Sequence, residues 1–127
     1  MFIFIFIQVD SYSAFYDNGG FSKTELDAKL KEKAVQRVFV SGLALDFCVY
    51  FSAKDAKKLD YETYVIEDAT RGISKEGITK ALQDMRNSGI KIIHSDEVTD
   101  ILRQGNAVTS ASNYILIILL LIVSVVY

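Results

Sequence analysis

The chain has 127 residues, half of them apolar and 24% charged, with a net charge of −2. That length allows at most one domain, and the dispersed positive charges leave no basic patch for nucleic acid. A single cysteine excludes an intrachain disulfide and a cysteine-rich zinc site, and it fits a reducing compartment, so a cytoplasmic location is expected.

The first seven residues, MFIFIFI, are all apolar. They lack the basic lead and the small-residue cleavage site of a secretory signal. Phe2 to Ile7 reads as a buried strand, and Asn18-Gly19-Gly20 as a turn. Ser22 with Glu25 three residues on has the form of a capping box. The helix expected after it carries Leu26, Leu30 and Ala34 on one face. Arg37 to Gly42, RVFVSG, is a short apolar run of the kind found in buried parallel strands.

A second helix is expected from about Cys48 to Leu59, with Val49, Ala53, Ala56 and Leu59 at helical spacing. Thr63 to Ile66 is the next strand, ending at Glu67-Asp68. Ser74 caps a third helix, with Ile78, Ala81, Leu82 and Met85 inward and Asn87-Ser88-Gly89 as its stop. Ile90 to His94 is the last strand of the globular part, and Asp96 to Leu102 a short helix. Gly105 to Asn113 is polar and reads as a linker.

Residues 114–127, YILIILLLIVSVVY, form an apolar tail. At ~1.5 Å per residue a helix of that length covers roughly 21 Å, short of the ~30 Å hydrocarbon core, so it is a marginal membrane segment. The tail is therefore expected to stand apart from the core. Membrane contact through it is the alternative to a cytoplasmic location.

Strand, helix, strand, helix, strand is the order of a parallel α/β sheet. In such sheets chemistry gathers at the carboxyl ends of the strands. Gly42 to Cys48 lies at such an end and runs into a helix N-terminus. There the unpaired N–H groups favour thiolate over thiol and can hold a developing oxyanion. The alternative is that Cys48 is a small buried residue filling the junction.

Gly42 to Val49, GLALDFCV, resembles the nucleophile segment of the nicotinamidase and isochorismatase-like cysteine hydrolases. The run from Asp10 to Asn18 resembles the segment that precedes it in nicotinamidases. Ala53-Lys54-Asp55-Ala56, then Asp68 to Ile73, then Met85-Arg86 keep the family's order and spacing. The resemblance covers roughly residues 9–98. It implies an incomplete three-layer α/β/α fold with a parallel sheet, as in the family's C-terminal half. The chain would then divide into an unmatched segment 1–8, a partial domain 9–103, a linker 104–113 and the tail 114–127.

The resemblance also implies roles. Cys48 would attack the amide carbon of nicotinamide and form a thioester. A cis peptide is expected at Leu43–Ala44, with the Ala44 and Cys48 N–H groups holding the oxyanion. Tyr12 and Phe47 match aromatic positions that wall the nicotinamide ring. Asp46 is expected to be a structural hydrogen-bonding residue. The family's catalytic Asp, its Lys and its metal ligands (a divalent metal such as zinc) lie upstream of this segment. MFIFIFI holds none of these groups, and Asp10 falls in the segment leading to Tyr12. His94, the one histidine, reads as a strand-end residue, so no metal site is expected in this chain. The expectation is a catalytically incomplete form. The alternatives are a degenerate interaction protein tethered by its tail, or another amidase of the same fold. Self-association as a homo-oligomer is left open.

Overall fold

A computed structural model describes residues 11–106 and 115–120. Four helices, α1 (Leu26–Glu32), α2 (Tyr50–Lys58), α3 (Lys75–Asn87) and α4 (Val98–Asn106), accompany four strands. These are β1 (Arg37–Leu43), β2 (Glu62–Arg71), β3 (Lys91–Ile93) and β4 (Ile115–Leu120). The sheet order is β3-β2-β1-β4 and every pairing is parallel. A π-helical turn, Leu45–Val49, joins β1 to α2.

Alternate residues of each strand feed opposite faces of the sheet. Val38, Val40 and Val65 point into the larger core with Leu26 and Leu30 of α1, Val49, Ala53 and Ala56 before and along α2, and Leu82 and Met85 of α3. Phe39, Tyr64, Ile66 and Ile93 point the other way, where Val98, Ile101 and Leu102 of α4 cover them. The result is a three-layer α/β/α arrangement, as the alternation of elements implies.

Three helices end in one local pattern that sets the path into the next strand. After α3, Gly89 has φ 76°; its N–H donates to the Arg86 carbonyl at 3.0 Å and the Ile90 N–H to that of Met85 at 3.0 Å. These are the two bonds of a Schellman cap. The same pair closes α2 through Asp60 and Tyr61, and α1 through Ala34 and Val35. Val35, Tyr61 and Ile90 are each buried, so each cap folds an apolar residue under the helix it ends. The expected place of Ala34 on the apolar face of α1 is corrected here: it is the left-handed cap residue, with φ 52°, and it is exposed.

A left-handed conformation costs a residue with a Cβ about 1–2 kcal/mol, and glycine escapes that cost. Ala34→Gly is therefore expected to raise stability by about 0.5–1 kcal/mol after the larger entropy of the unfolded glycine is subtracted. The urea midpoint checks this, and a lower midpoint contradicts it.

The expected capping box does not form. The Ser22 N–H is taken by the Asp17 carboxylate at 3.1 Å, which also accepts from Phe21 at 2.8 Å. Helix α1 starts later, and Thr24 Oγ1 accepts the Leu26 N–H at 3.2 Å. The competing acceptor is local: Asp17 sits at the base of a small hairpin in which Tyr16 bridges Lys23.

The tail expectation is corrected as well. Ile115–Leu120 pairs with β1 from Arg37↔Ile115 to Gly42↔Leu120. An apolar run satisfies its backbone groups in a sheet as well as in a helix, and here the free edge of β1 takes it. Among the described residues no helix is long and apolar enough to cross a membrane. The strand expected at Phe2–Ile7 lies outside the described residues.

Candidate active site

The site gathers where β1 ends. The Leu43–Ala44 peptide is cis, and Leu45–Val49 then turns directly into α2. The Ala44 carbonyl accepts from both the Phe47 and Val49 N–H groups at 3.1 Å, which fixes the turn that carries Cys48. The Cys48 residue is 7% exposed.

Asp46 holds this turn to the far side of the sheet's carboxyl edge. Its carboxylate accepts the Ile73 N–H at 2.9 Å and the Ser74 N–H at 3.1 Å. Ser74 in turn caps α3, accepting the Gly77 N–H at 3.0 Å. The approach is close enough that a Cβ on Gly72 would lie 2.8 Å from one Asp46 oxygen, and a Cβ on Gly77 2.7 Å from the other. Asp46 thus spends both oxygens on backbone donors, the structural part expected for it, and the expected cap at Ser74 is in place.

Tyr12 comes from a segment with no regular structure, and four bonds seat it. Its own N–H donates to Asn18 Oδ1 at 2.7 Å. The Ala14 N–H donates to Ser52 Oγ of α2 at 2.9 Å, and Thr24 Oγ1 donates to the Ala14 carbonyl at 2.7 Å. Ser11 Oγ closes the loop on the Tyr16 carbonyl. The Tyr12 ring lies 5.7 Å from that of Phe47, so the two expected wall residues do meet. Phe51, one turn further along α2, was not singled out by sequence. It stacks on Tyr12 at 5.8 Å, with 26° between the rings. Its spacing from Phe47 is the helical i, i+4 signal that could have found it.

The electrostatics at Cys48 reverse one expectation. Burial pushes the thiol above its ordinary value, while the backbone at Ala44 and Cys48 pulls it back less strongly. The helix start alone does not yield a low thiol pKa, because desolvation penalises the thiolate more than the neutral backbone stabilises it. Alkylation of the folded chain by iodoacetamide is therefore expected to run slower than that of free cysteine at neutral pH. Its midpoint should lie above the ordinary thiol value of 9.0. The linkage has the matching sign. The folded state holds this proton more tightly than the unfolded chain, so the group stabilises the fold below the unfolded pKa. That contribution is lost as pH rises through the folded value. Faster alkylation than free cysteine at neutral pH contradicts this account.

Two other features complete the picture. An open groove of about 530 Å³ lies between the Tyr16–Gly20 hairpin and α2, lined by Tyr12, Tyr16, Asp17, Phe51, Asp55 and Lys58. It shares Tyr12 and Phe51 with the wall but does not include Cys48. His94 caps the 3-10 turn Ser95–Glu97, its N–H donating to Glu97 Oε1 at 2.8 Å. Among the described residues no three His, Cys, Asp or Glu side chains converge as metal ligands do. The described donors therefore do not fit a divalent metal, and no chemical step is assigned to one.

A parallel α/β sheet with a buried cysteine at the strand-to-helix junction, and an aromatic pair formed by the residue before it, defines the class. The chain belongs to the isochorismatase domain family, whose profile matches residues 6–97. It is 48% identical over 66 residues to the nicotinamidase of Escherichia coli, covering 52% of this chain and 31% of that protein. It is 40% identical over 92 residues to the nicotinamidase of Acinetobacter baylyi, covering 72% and 43%.

Among solved structures it is similar to an Acinetobacter baumanii nicotinamidase/pyrazinamidase, with TM-score 0.68 and 41% identity over 71% of this chain and 44% of that one. It is also similar to the L. infantum PnC1 complex with nicotinate, with TM-score 0.66 and 35% identity over 70% and 44%. A third likeness is to a Pyrococcus horikoshii pyrazinamidase in complex with zinc, with TM-score 0.58 and 38% identity over 66% and 44%. The chain thus spans less than half the length of each of these proteins.

Proposed function

We propose that this chain carries the nucleophile half of a nicotinamidase-type site, which converts nicotinamide and water to nicotinate and ammonia. The observation that supports this best is the place of Cys48: it is buried in the turn between β1 and α2, one residue after Phe47, whose ring meets that of Tyr12 at 5.7 Å. A flat, π-rich amide suits such a wall.

In this reading the Cys48 thiolate adds to the amide carbon, and the Ala44 and Cys48 N–H groups hold the oxyanion. Collapse expels ammonia and leaves a thioester, which water then hydrolyses to the acid. The thiol proton must leave during attack and return to the departing ammonia, so a base is needed close to the sulfur. Asp46 is not that base, because both its oxygens are held by backbone donors. The raised thiol pKa also calls for a cation beside the sulfur. Base, cation and metal ligands are therefore assigned to the part of the relatives that this chain does not span.

The test is ammonia release from nicotinamide. The upstream part of the Escherichia coli relative, joined to residues 11–127, is expected to release ammonia. A joined, folded domain that binds nicotinamide and releases none contradicts the proposal.

A further inference from the structure

We propose that β4 is an exchangeable strand: it occupies the edge of β1 through which a base can be delivered to Cys48, and the upstream part of the domain takes that edge from it. This rests on the reading of Cys48 as the nucleophile and adds a device that keeps the thiol silent.

The thiol needs a base, and the acids around the carboxyl ends of β1 and β2 are engaged. Asp46 accepts the Ile73 and Ser74 N–H groups. The pairing of β2 with β1 slips after Val40↔Val65 and resumes at Gly42↔Thr70, and the extra residues of β2 there include Glu67 and Asp68. Asp68 accepts the Ser95 N–H at 2.8 Å and the Ser95 hydroxyl at 2.6 Å, and Glu67 faces Arg86 at 3.8 Å. Neighbouring strands lie only about 4.8 Å apart. A group at the carboxyl end of a strand on the other side of β1 therefore has the shortest remaining path to the site.

That side is held by β4, which runs parallel to β1 in unbroken register from Arg37↔Ile115 to Gly42↔Leu120. The tail that contains it, YILIILLLIVSVVY, has no acidic, basic or imidazole side chain. The pairing satisfies β1 without supplying chemistry. In the order β3-β2-β1-β4 it is the last strand, so among the described residues it can leave without breaking any other pairing. Leu43, Phe47 and Ile73 are exposed at the same carboxyl edge, apolar area of the kind that a further part of a domain covers. The relatives are more than twice as long as the stretch matched here, so they have chain to place there. Two strands then compete for one row of backbone donors and acceptors on β1.

The test compares the 127-residue chain with the joined domain by hydrogen exchange. In the chain alone, the Ile115–Leu120 amides bonded to β1 are expected to exchange slower than unstructured chain by roughly a hundredfold or more. In the joined domain they should lose that protection while the Arg37–Gly42 amides keep theirs. Removing residues 107–127 is read in parallel. The urea midpoint of the chain alone should fall by roughly 2 M, and that of the joined domain should move by less than about 0.3 M. Ammonia release by the joined domain should stay the same or rise.

Protected Ile115–Leu120 amides in a joined domain overturn the inference, and so does an equal fall of both midpoints, since β4 is then a permanent strand. A joined domain in which the Arg37–Gly42 amides are unprotected also overturns it, because the edge then admits no strand but β4. Unprotected Ile115–Leu120 amides in the chain alone do the same. A folded joined domain that frees β4 and forms no ammonia leaves the exchange standing and overturns the nucleophile reading.

Discussion

Replacing Cys48 by alanine is expected to lower ammonia release from the joined domain by on the order of a thousandfold or more. The 127-residue polypeptide by itself should release none that depends on Cys48. The two results share one cause. A thiol nucleophile, its base and its neighbouring cation act as a unit, so losing one costs nearly as much as losing all. In this chain burial holds the Cys48 thiol above its ordinary pKa. Among the described residues the nearest acid in sequence, Asp46, is committed to the Ile73 and Ser74 N–H groups. On the proposed reading the thiol is in place but none of the described residues activates it. Cys48-dependent ammonia release by the polypeptide alone would show that activation comes from within the chain, and Asp10 would be the first residue to replace.

Deleting residues 107–127 is expected to destabilise the fold by on the order of 3 kcal/mol, taking several ladder bonds at about 1 kcal/mol each. The reason is the position of β4. It pairs with β1 along Arg37 to Gly42, and β1 carries three fully buried residues in a row, Val38, Phe39 and Val40. Among the described residues, β1 has β2 on one side and β4 on the other, so it is an inner strand there only through β4. Removal turns it into an apolar edge, which also invites aggregation. A domain of this size has only about 5–15 kcal/mol in hand, so the urea midpoint should fall clearly. An unchanged or higher midpoint, with better solubility, would show that the strand adds nothing to the core.

The parts of this molecule legible in its sequence are those decided locally. Ser74 caps α3 as its type and position indicate, and Ile78, Ala81, Leu82 and Met85 face the core because they recur at helical spacing. The parallel strands sit where short apolar runs alternate with helices. The resemblance of GLALDFCV and of the Asp10–Asn18 run singles out Cys48, Ala44, Tyr12 and Phe47, and of these the structure brings the rings of Tyr12 and Phe47 into contact.

What failed depended on competition that a linear reading does not weigh. The Ser22 N–H goes to Asp17, so α1 starts later than its capping pattern suggests. Ala34 fits the apolar periodicity but is used to end the helix. The apolar tail carries no alternation to separate strand from membrane helix, and only the open edge of β1 decides its state. At Cys48 the helix start favours thiolate, yet burial outweighs it. Asp46 reaches Ile73 and Ser74 across the sheet edge, a contact that no local pattern announces.

The most direct measurement is the mass of the Cys48 peptide after the joined domain is mixed with nicotinamide and quenched in acid within a turnover. The account predicts a nicotinoyl group on Cys48, held as a thioester and released by hydroxylamine. Ammonia release that proceeds with Cys48 unmodified throughout, or that persists in Cys48→Ala, would contradict it.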